Sequence, residues 1–323
     1  MKNLLPSNGF VSVIAHWFSA NILALGREMR LSYLPPLMVY VAAGISGLTG
    51  IVGTFYVKEK LGLSAEFLAM LGFWMMLPWA LKMPLGHLVD LVWRWKGLLV
   101  YLGASLIMVS LLIMIGLLGH TEAMAAVASV ETWYVLSALL APIGYVLQDV
   151  VADAMTVEAV PRVDENGTKL DPEKRKLMHV TMQTLGRVAI IGGGVLVSVA
   201  NVFLLRDAGV LPEAEKEAVY LLVYELALII PVVSIFGVLF ASWLRRREMK
   251  HLLAQGHSRQ EAGMLLGIHT EPPSINWWIL GGGLIFTLLS LGVGLSRVPG
   301  GEEIVFVISM AIVVFLMWRL TAE

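Results

Sequence analysis

The sequence contains no cysteine and is poor in charged residues. Because cysteine is absent, disulfide bonds and metal sites with thiolate ligands are excluded. Only 15% of the 323 residues are charged, whereas 58% are hydrophobic, and the mean hydropathy is +0.78. Soluble domains carry about 25% charged residues. The chain is therefore predicted to be an all-α membrane protein, since helices satisfy their own backbone groups inside a lipid bilayer.

The sequence also lacks an excess of positive charge and any familiar catalytic motif. Its formal net charge of -1 argues against a nucleic-acid partner, because a phosphate-binding surface needs a local excess of Lys and Arg. The seven histidines show no spacing typical of metal ligands. Neither a nucleophile elbow nor a zinc-protease motif occurs. We therefore expect no enzyme activity, no metal and no cofactor.

Residues 1–34 form a first segment of mixed polarity. Its apolar residues recur at helical spacing, but they are interrupted by Asn8, Ser12, His16 and Asn21, and no clear cleavage site for a signal peptide follows. We favour a cytoplasmic segment with an amphipathic helix that lies on the membrane surface. A signal peptide is the alternative.

Eight later segments are long and apolar enough to cross a hydrocarbon layer about 30 Å thick. The predicted spans are residues 37–57, 67–91, 97–119, 133–160, 178–205, 218–243, 277–295 and 304–320. The first six would form one transmembrane bundle over residues 35–243. Residues 244–276 would be a cytoplasmic linker with a capping-box pattern at Ser258 and Glu261, and residues 277–323 would provide two helices that begin a second bundle.

Lys and Arg residues are concentrated in alternate connections between the spans. Cytoplasmic loops retain these residues. One side holds the basic groups around Arg94, Lys174 and Arg246, whereas the other side holds isolated ones such as Lys58 and Arg206. Both termini are therefore predicted to be cytoplasmic, in a plasma or inner membrane.

Four ionisable residues fall inside predicted spans, where a charge is costly and needs a partner or a water-filled cavity. Lys82 lies about 12 Å along its helix from Asp90, and Asp153 lies about 12 Å from the break at Pro161, at about 1.5 Å per residue. Asp149 is about 18 Å from that break, and Arg187 is about 16 Å from Lys176. Lys82, Asp149, Asp153 and Arg187 are therefore expected to share one layer.

Two interpretations of this charged layer stay open. Asp149 and Asp153 are four residues apart and so lie on one helix face, opposite two cations. The layer could be a structural ion-pair cluster that fixes the packing of three helices. It could also bind an anionic solute, with one carboxylate taking up a proton. Gln183, one turn before Arg187, could share the same cavity or bond across helices.

Several glycines in the spans point to close helix contacts. Gly192, Gly193 and Gly194 lack the spacing of a phosphate-binding loop, so close packing or helix flexing is the better interpretation. Gly86 and Asp90, followed by Arg94, resemble the loop motif after the second helix of major facilitator proteins. That motif implies close helix approach at the glycine and stabilisation of one conformation by the aspartate and a basic residue.

Longer strings resemble the folate-biopterin transporter family of the major facilitator superfamily. The Pro-Trp-x-Leu-Lys string ends at Lys82, and an Asp-x3-Asp-x4-Glu string comprises Asp149, Asp153 and Glu158. The resemblance covers about residues 37–194. It implies a six-helix bundle and proton-coupled symport of an organic anion such as a folate or pterin. The matching positions are Lys82, Asp149, Asp153, Glu158 and Arg187.

The family architecture has two six-helix halves that rock about a central site. Only two predicted spans follow the linker here, so the second half is expected to be truncated or to be supplied by a second chain. The alternative function is therefore a non-transporting membrane protein that acts as a partner or assembly factor.

Overall fold

The computed structural model describes residues 26, 29–56, 62–163, 168–266, 274–296 and 299–321, and these are almost entirely helical. The predicted amphipathic helix falls largely on residues outside this described part. The helices are α1 Leu34–Gly44, α2 Gly50–Tyr56, α3 Ala65–Ala80, α4 Lys82–Leu91, α5 Lys96–Gly119, α6 Thr121–Ala125, α7 Val130–Ala159, α8 Pro172–Leu205, α9 Glu213–Ala227, α10 Ile229–Ala254, α11 Arg259–Leu265, α12 Trp277–Ser296 and α13 Gly301–Thr321.

Six helical segments among the described residues are long and apolar enough to cross a membrane. They are Leu31–Tyr56, Ala65–Leu91, Lys96–Gly119, Val130–Ala159, Pro172–Leu205 and Glu213–Ala254, here called the first to sixth spans. Each overlaps one of the first six predicted spans, and the sixth continues to Ala254, inside the predicted linker 244–276. The multi-pass membrane prediction is thus confirmed. The last two predicted spans correspond to α12, whose apolar part Trp277–Val293 is shorter, and to α13.

Three spans are interrupted, whereas the apolar segments predict continuous helices. The second span breaks at Leu81 between α3 and α4, and the sixth breaks at Leu228 between α9 and α10. Each break lies near a proline, Pro84 or Pro231, which has no N–H to give to the carbonyl one turn earlier. In the first span the 3-10 segment Ile45–Thr49 joins α1 to α2.

Close backbone contacts hold the bundle together at glycines. A Cβ atom on Gly144 would lie 2.6 Å from the carbonyl oxygen of Gly103, which brings α5 and α7 together. A Cβ atom on Gly193 would lie 2.8 Å from Cα of Gly44, which brings α8 against α1. A Cβ atom on Gly192 or on Gly194 would meet no neighbouring atom within 4 Å. The close packing expected of this triplet therefore belongs to its middle residue.

The linker helix α11 packs against α10, whereas the last two helices, α12 and α13, pack against each other. The predicted capping box is present at the start of α11, where the Ser258 hydroxyl accepts from the Glu261 backbone and the Glu261 carboxylate accepts from the Ser258 backbone. The helices α12 and α13 contact each other through the rings of Trp278 and Phe315, 5.7 Å apart. This pair is attached to the bundle through α4.

Candidate functional site

Lys82 forms ion pairs with both carboxylates of the fourth span. Its Nζ atom lies 2.5 Å from Oδ2 of Asp149 and 2.9 Å from Oδ2 of Asp153. The two carboxylates are one turn apart on α7, so a single ammonium group can reach both. Three of the four charged residues predicted to share a layer are thus brought into direct contact.

The break in the second span positions this lysine. Lys82 is the first residue of α4, directly after the non-helical Leu81. Discontinuous helices recur at the solute and ion sites of transporters, because unwound backbone there presents polar groups within the bilayer. Here Pro84 cannot donate to the carbonyl of Ala80, so the helix ladder lacks one backbone hydrogen bond beside Lys82.

Tyr40 is a fourth member of the cluster that the sequence analysis missed. Its hydroxyl group donates a hydrogen bond of 2.5 Å to Oδ1 of Asp153. Asp153 therefore has one oxygen bound by Tyr40 on the first span and the other paired with Lys82 on the second. The signal in the sequence was slight, since a tyrosine in an apolar span is ordinary unless its partner is known.

The cluster is open on one side. The side chain of Asp149 is 9% exposed, but those of Lys82 and Asp153 are 38% and 51% exposed. The second and fifth spans are also the least buried. In their most apolar 18-residue stretches, 6% and 11% of the residues are buried, against 33% or more in the other four spans. Because charged groups in a membrane avoid lipid, this opening is suited to a water-filled cavity or a contact with other helices.

Arg187 and Gln183 lie one turn apart on α8, and both are exposed. Arg187 is near enough to interact electrostatically with Asp149 and Tyr40. It forms no ion pair within 4 Å in the described part of the chain. Lys82 with its two aspartates carries one positive and two negative charges, so Arg187 supplies the second cation that balances the cluster.

Glu158 lies outside this cluster, although the family resemblance groups it with the two aspartates. It is five residues after Asp153, which is about 140° around the helix at 3.6 residues per turn. Its Oε1 pairs with Lys96 at 2.6 Å and its Oε2 with Arg245 at 2.7 Å. Lys96 also lies over the ring of Trp93, 3.8 Å from its centre. This second cluster joins α5, α7 and α10 near their predicted cytoplasmic ends.

Two residues of the loop motif, Gly86 and Asp90, lie on α4. A Cβ atom on Gly86 would meet Val150 at an ordinary 4.0 Å, so close approach does not require glycine there. Asp90 is exposed and has no ion-pair partner within 4 Å among the described residues, although its charge acts on Lys96. Arg94 lies in the turn Trp93–Trp95, and the placement of its side chain lies outside what the structure describes.

Within the described residues, no group of three or more His, Asp or Glu side chains is arranged to hold a metal ion. Comparison with known proteins gives no assignment either: no family model, no curated protein and no solved structure matches the chain.

Proposed function

We propose that the chain belongs to a secondary active transporter that carries an organic anion, such as a folate or pterin, together with protons. The observation that carries this proposal is the contact of Lys82 with Asp149 and Asp153 at a helix break that is open to one side. Ionisable groups within a span usually mark a solute pathway or a proton relay. Structural ion pairs alone would not need so exposed a carboxylate as Asp153.

The cluster also suits coupling between solute and proton. Two cations, Lys82 and Arg187, can bind an anionic group, and the solute then competes with the aspartates for Lys82. An aspartate released from Lys82 beside a second carboxylate binds a proton more readily. Solute binding and proton uptake would therefore favour each other. Gln183 would donate a hydrogen bond to the solute on the same face.

The finer architecture is part of the proposal. The six spans would be a major-facilitator-like bundle whose open face, on the second and fifth spans, meets a second bundle across the cavity. That second bundle would include α12 and α13 or come from another chain. Both termini would be cytoplasmic, in a plasma or inner membrane. The molecule would act without enzymatic chemistry.

Uptake assays test the function. Proteoliposomes with an imposed pH gradient would be supplied with labelled folate, biopterin and a panel of other organic anions. We expect gradient-driven uptake that falls at least tenfold in Lys82→Ala and in Asp153→Asn. The matched controls are Lys174→Ala and Asp207→Asn, which alter exposed residues away from the cluster and should transport normally.

The possible outcomes separate the two functions considered. Uptake that is unaffected by both cluster variants would remove these residues from the mechanism. No uptake of any solute by well-folded protein would reject transport by this chain and favour the non-transporting partner or assembly factor. Uptake without dependence on the pH gradient would reject proton coupling while keeping transport.

A further inference from the structure

The start of α12 is attached to the bundle through one histidine. Asn276 precedes α12, and its side-chain oxygen accepts hydrogen bonds from the backbone of Trp278 and Ile279, at 3.1 and 3.3 Å. Asn276 is therefore the N-cap of this helix. Its own backbone N–H donates to Nε2 of His87 on α4, at 2.8 Å. His87 is only 9% exposed.

A second contact fixes the same two helices. A Cβ atom on Gly283 would overlap the ring of Pro84, so α12 rests directly on the first turn of α4. Pro84 and His87 are three residues apart and lie on neighbouring positions of one face. The helix that begins with Lys82 is therefore the surface on which α12 docks.

The hydrogen bond to His87 requires a neutral imidazole ring. A backbone N–H can only donate, so Nε2 must offer a lone pair and the ring proton must be on Nδ1. A protonated ring has donors on both nitrogens and loses this bond. Its positive charge would also face the N-terminus of α12, which is the positive end of the helix dipole.

Other charges near α4 do not replace this contact. The charged residues on α4 and on the helices packed against it are Lys82, Asp90, Glu66 of α3, and Glu131, Asp149, Asp153 and Glu158 of α7. The described residues of α12 have no ionisable side chain. Lys82 is occupied by its two aspartates. Among the described residues, His87 is thus the group whose protonation directly changes the contact between α4 and α12.

We propose that His87 is a positioning residue that seats α12 on the second span when neutral and releases it when protonated. Protonation removes the lone pair on Nε2, so the position of the last two helices would depend on pH. This docking concerns helix positions and does not depend on whether the chain transports a solute.

Distances between paired spin labels test this proposal in lipid nanodiscs. Because the chain has no cysteine, labels can be placed at two introduced cysteines, Leu288→Cys on α12 and Leu112→Cys on α5, both at exposed positions. We expect one narrow distance distribution at pH 8 and a second, broader population at pH 5. The control pair, Leu112→Cys with Leu239→Cys, lies within the bundle and should not change with pH.

Two variants distinguish docking from general stability. His87→Gln offers an amide oxygen that accepts at both pH values, so its distribution should stay narrow. His87→Leu should be broad at both. A narrow distribution in His87→Leu at pH 8, or an undiminished pH response in His87→Gln, would overturn the proposal. If His87→Leu does not fold, the comparison of wild type with His87→Gln across pH decides alone.

Discussion

The hydroxyl group of Tyr40 and the carboxylate of Asp153 form a hydrogen bond of 2.5 Å between the first and fourth spans. Asp153 also pairs with Lys82, so the tyrosine orients a carboxylate that a cation from another helix shares. Hydrogen bonds to charged groups contribute about 1.5–3 kcal/mol, whereas side-chain hydrogen bonds between membrane helices average about 0.6 kcal/mol. The bond therefore aligns the cluster more than it stabilises the bundle.

Tyr40→Phe removes this donor and keeps the ring. We expect the free energy of unfolding to fall by about 0.6 kcal/mol, the average for side-chain hydrogen bonds between membrane helices, and by no more than about 1.7 kcal/mol, the largest value. Uptake should fall several-fold, because Asp153 is no longer held in one orientation. Thermal unfolding in detergent and the uptake assay measure the two effects. Tyr101→Phe is the control, and an equal loss in both variants would argue against a specific role for Tyr40.

Gly193→Ala tests the contact between α8 and α1. The added methyl group would meet backbone atoms of Gly44 at 2.8 Å, and overpacking of this kind costs about 1–3 kcal/mol. Gly192→Ala and Gly194→Ala are matched controls, since no atom lies within 4 Å of either added group, and Ala favours a helix over Gly by about 1 kcal/mol. We expect a lower unfolding temperature for Gly193→Ala alone. Equal behaviour of all three would contradict the close approach.

Glu158→Gln tests the second cluster. It leaves Lys96, whose side chain is 7% exposed, without its counter-ion, and an uncompensated buried charge costs about 3–5 kcal/mol. Arg245→Gln should cost much less, because Arg245 is 44% exposed and water can solvate it. The comparison is made by thermal unfolding of the purified variants. A larger effect at Arg245 than at Glu158 would reverse this assignment of the buried partner.

The cap of α11 should weaken in acid. A hydrogen bond from the Ser258 backbone holds the pKa of Glu261 below its usual range. A carboxyl group with a lowered pKa stabilises the folded form above its unfolded pKa, and this contribution is lost as the pH falls through the folded value. Amide-exchange protection of residues 259–265, corrected for intrinsic rates, should therefore fall in acid. Glu261→Gln should remove that pH dependence, and its persistence would assign it to another group.

The predicted orientation can be tested by labelling single cysteines in intact cells. Val210 is 85% exposed and lies between the fifth and sixth spans, on the predicted outer side. Glu173 lies at the start of the fifth span, on the predicted inner side. An impermeant maleimide should label Val210→Cys in intact cells, and Glu173→Cys only after permeabilisation. The opposite pattern would invert the topology.

The sequence predicted the first six spans and the core of the cluster for clear physical reasons. Long apolar segments leave little choice of secondary structure in lipid. The spacing of Asp149 and Asp153 placed both on one face, and the cost of Lys82 in a span demanded a partner. These arguments use only the residue types and their spacing along a helix, and both can be taken directly from a sequence.

Other features depend on how helices rotate and pack. Tyr40 could not be assigned without knowing which helix lies opposite Asp153. The family resemblance groups Glu158 with the two aspartates because all three belong to one sequence string. On the helix, Glu158 points in another direction and contacts Lys96. A proline such as Pro84 does not by itself show where a helix breaks, and the hydrogen bond from Asn276 to His87 joins residues far apart in the chain.

The pairing of Lys82 with the fourth span also has a consequence for synthesis in the membrane. The second span has the lowest mean hydropathy of the six, at 1.3, and a lysine near the centre of a span opposes insertion by about 2.5–3.5 kcal/mol. Its carboxylate partners are translated later, with α7. Stable integration of the second span therefore depends on a helix that the ribosome has yet to make.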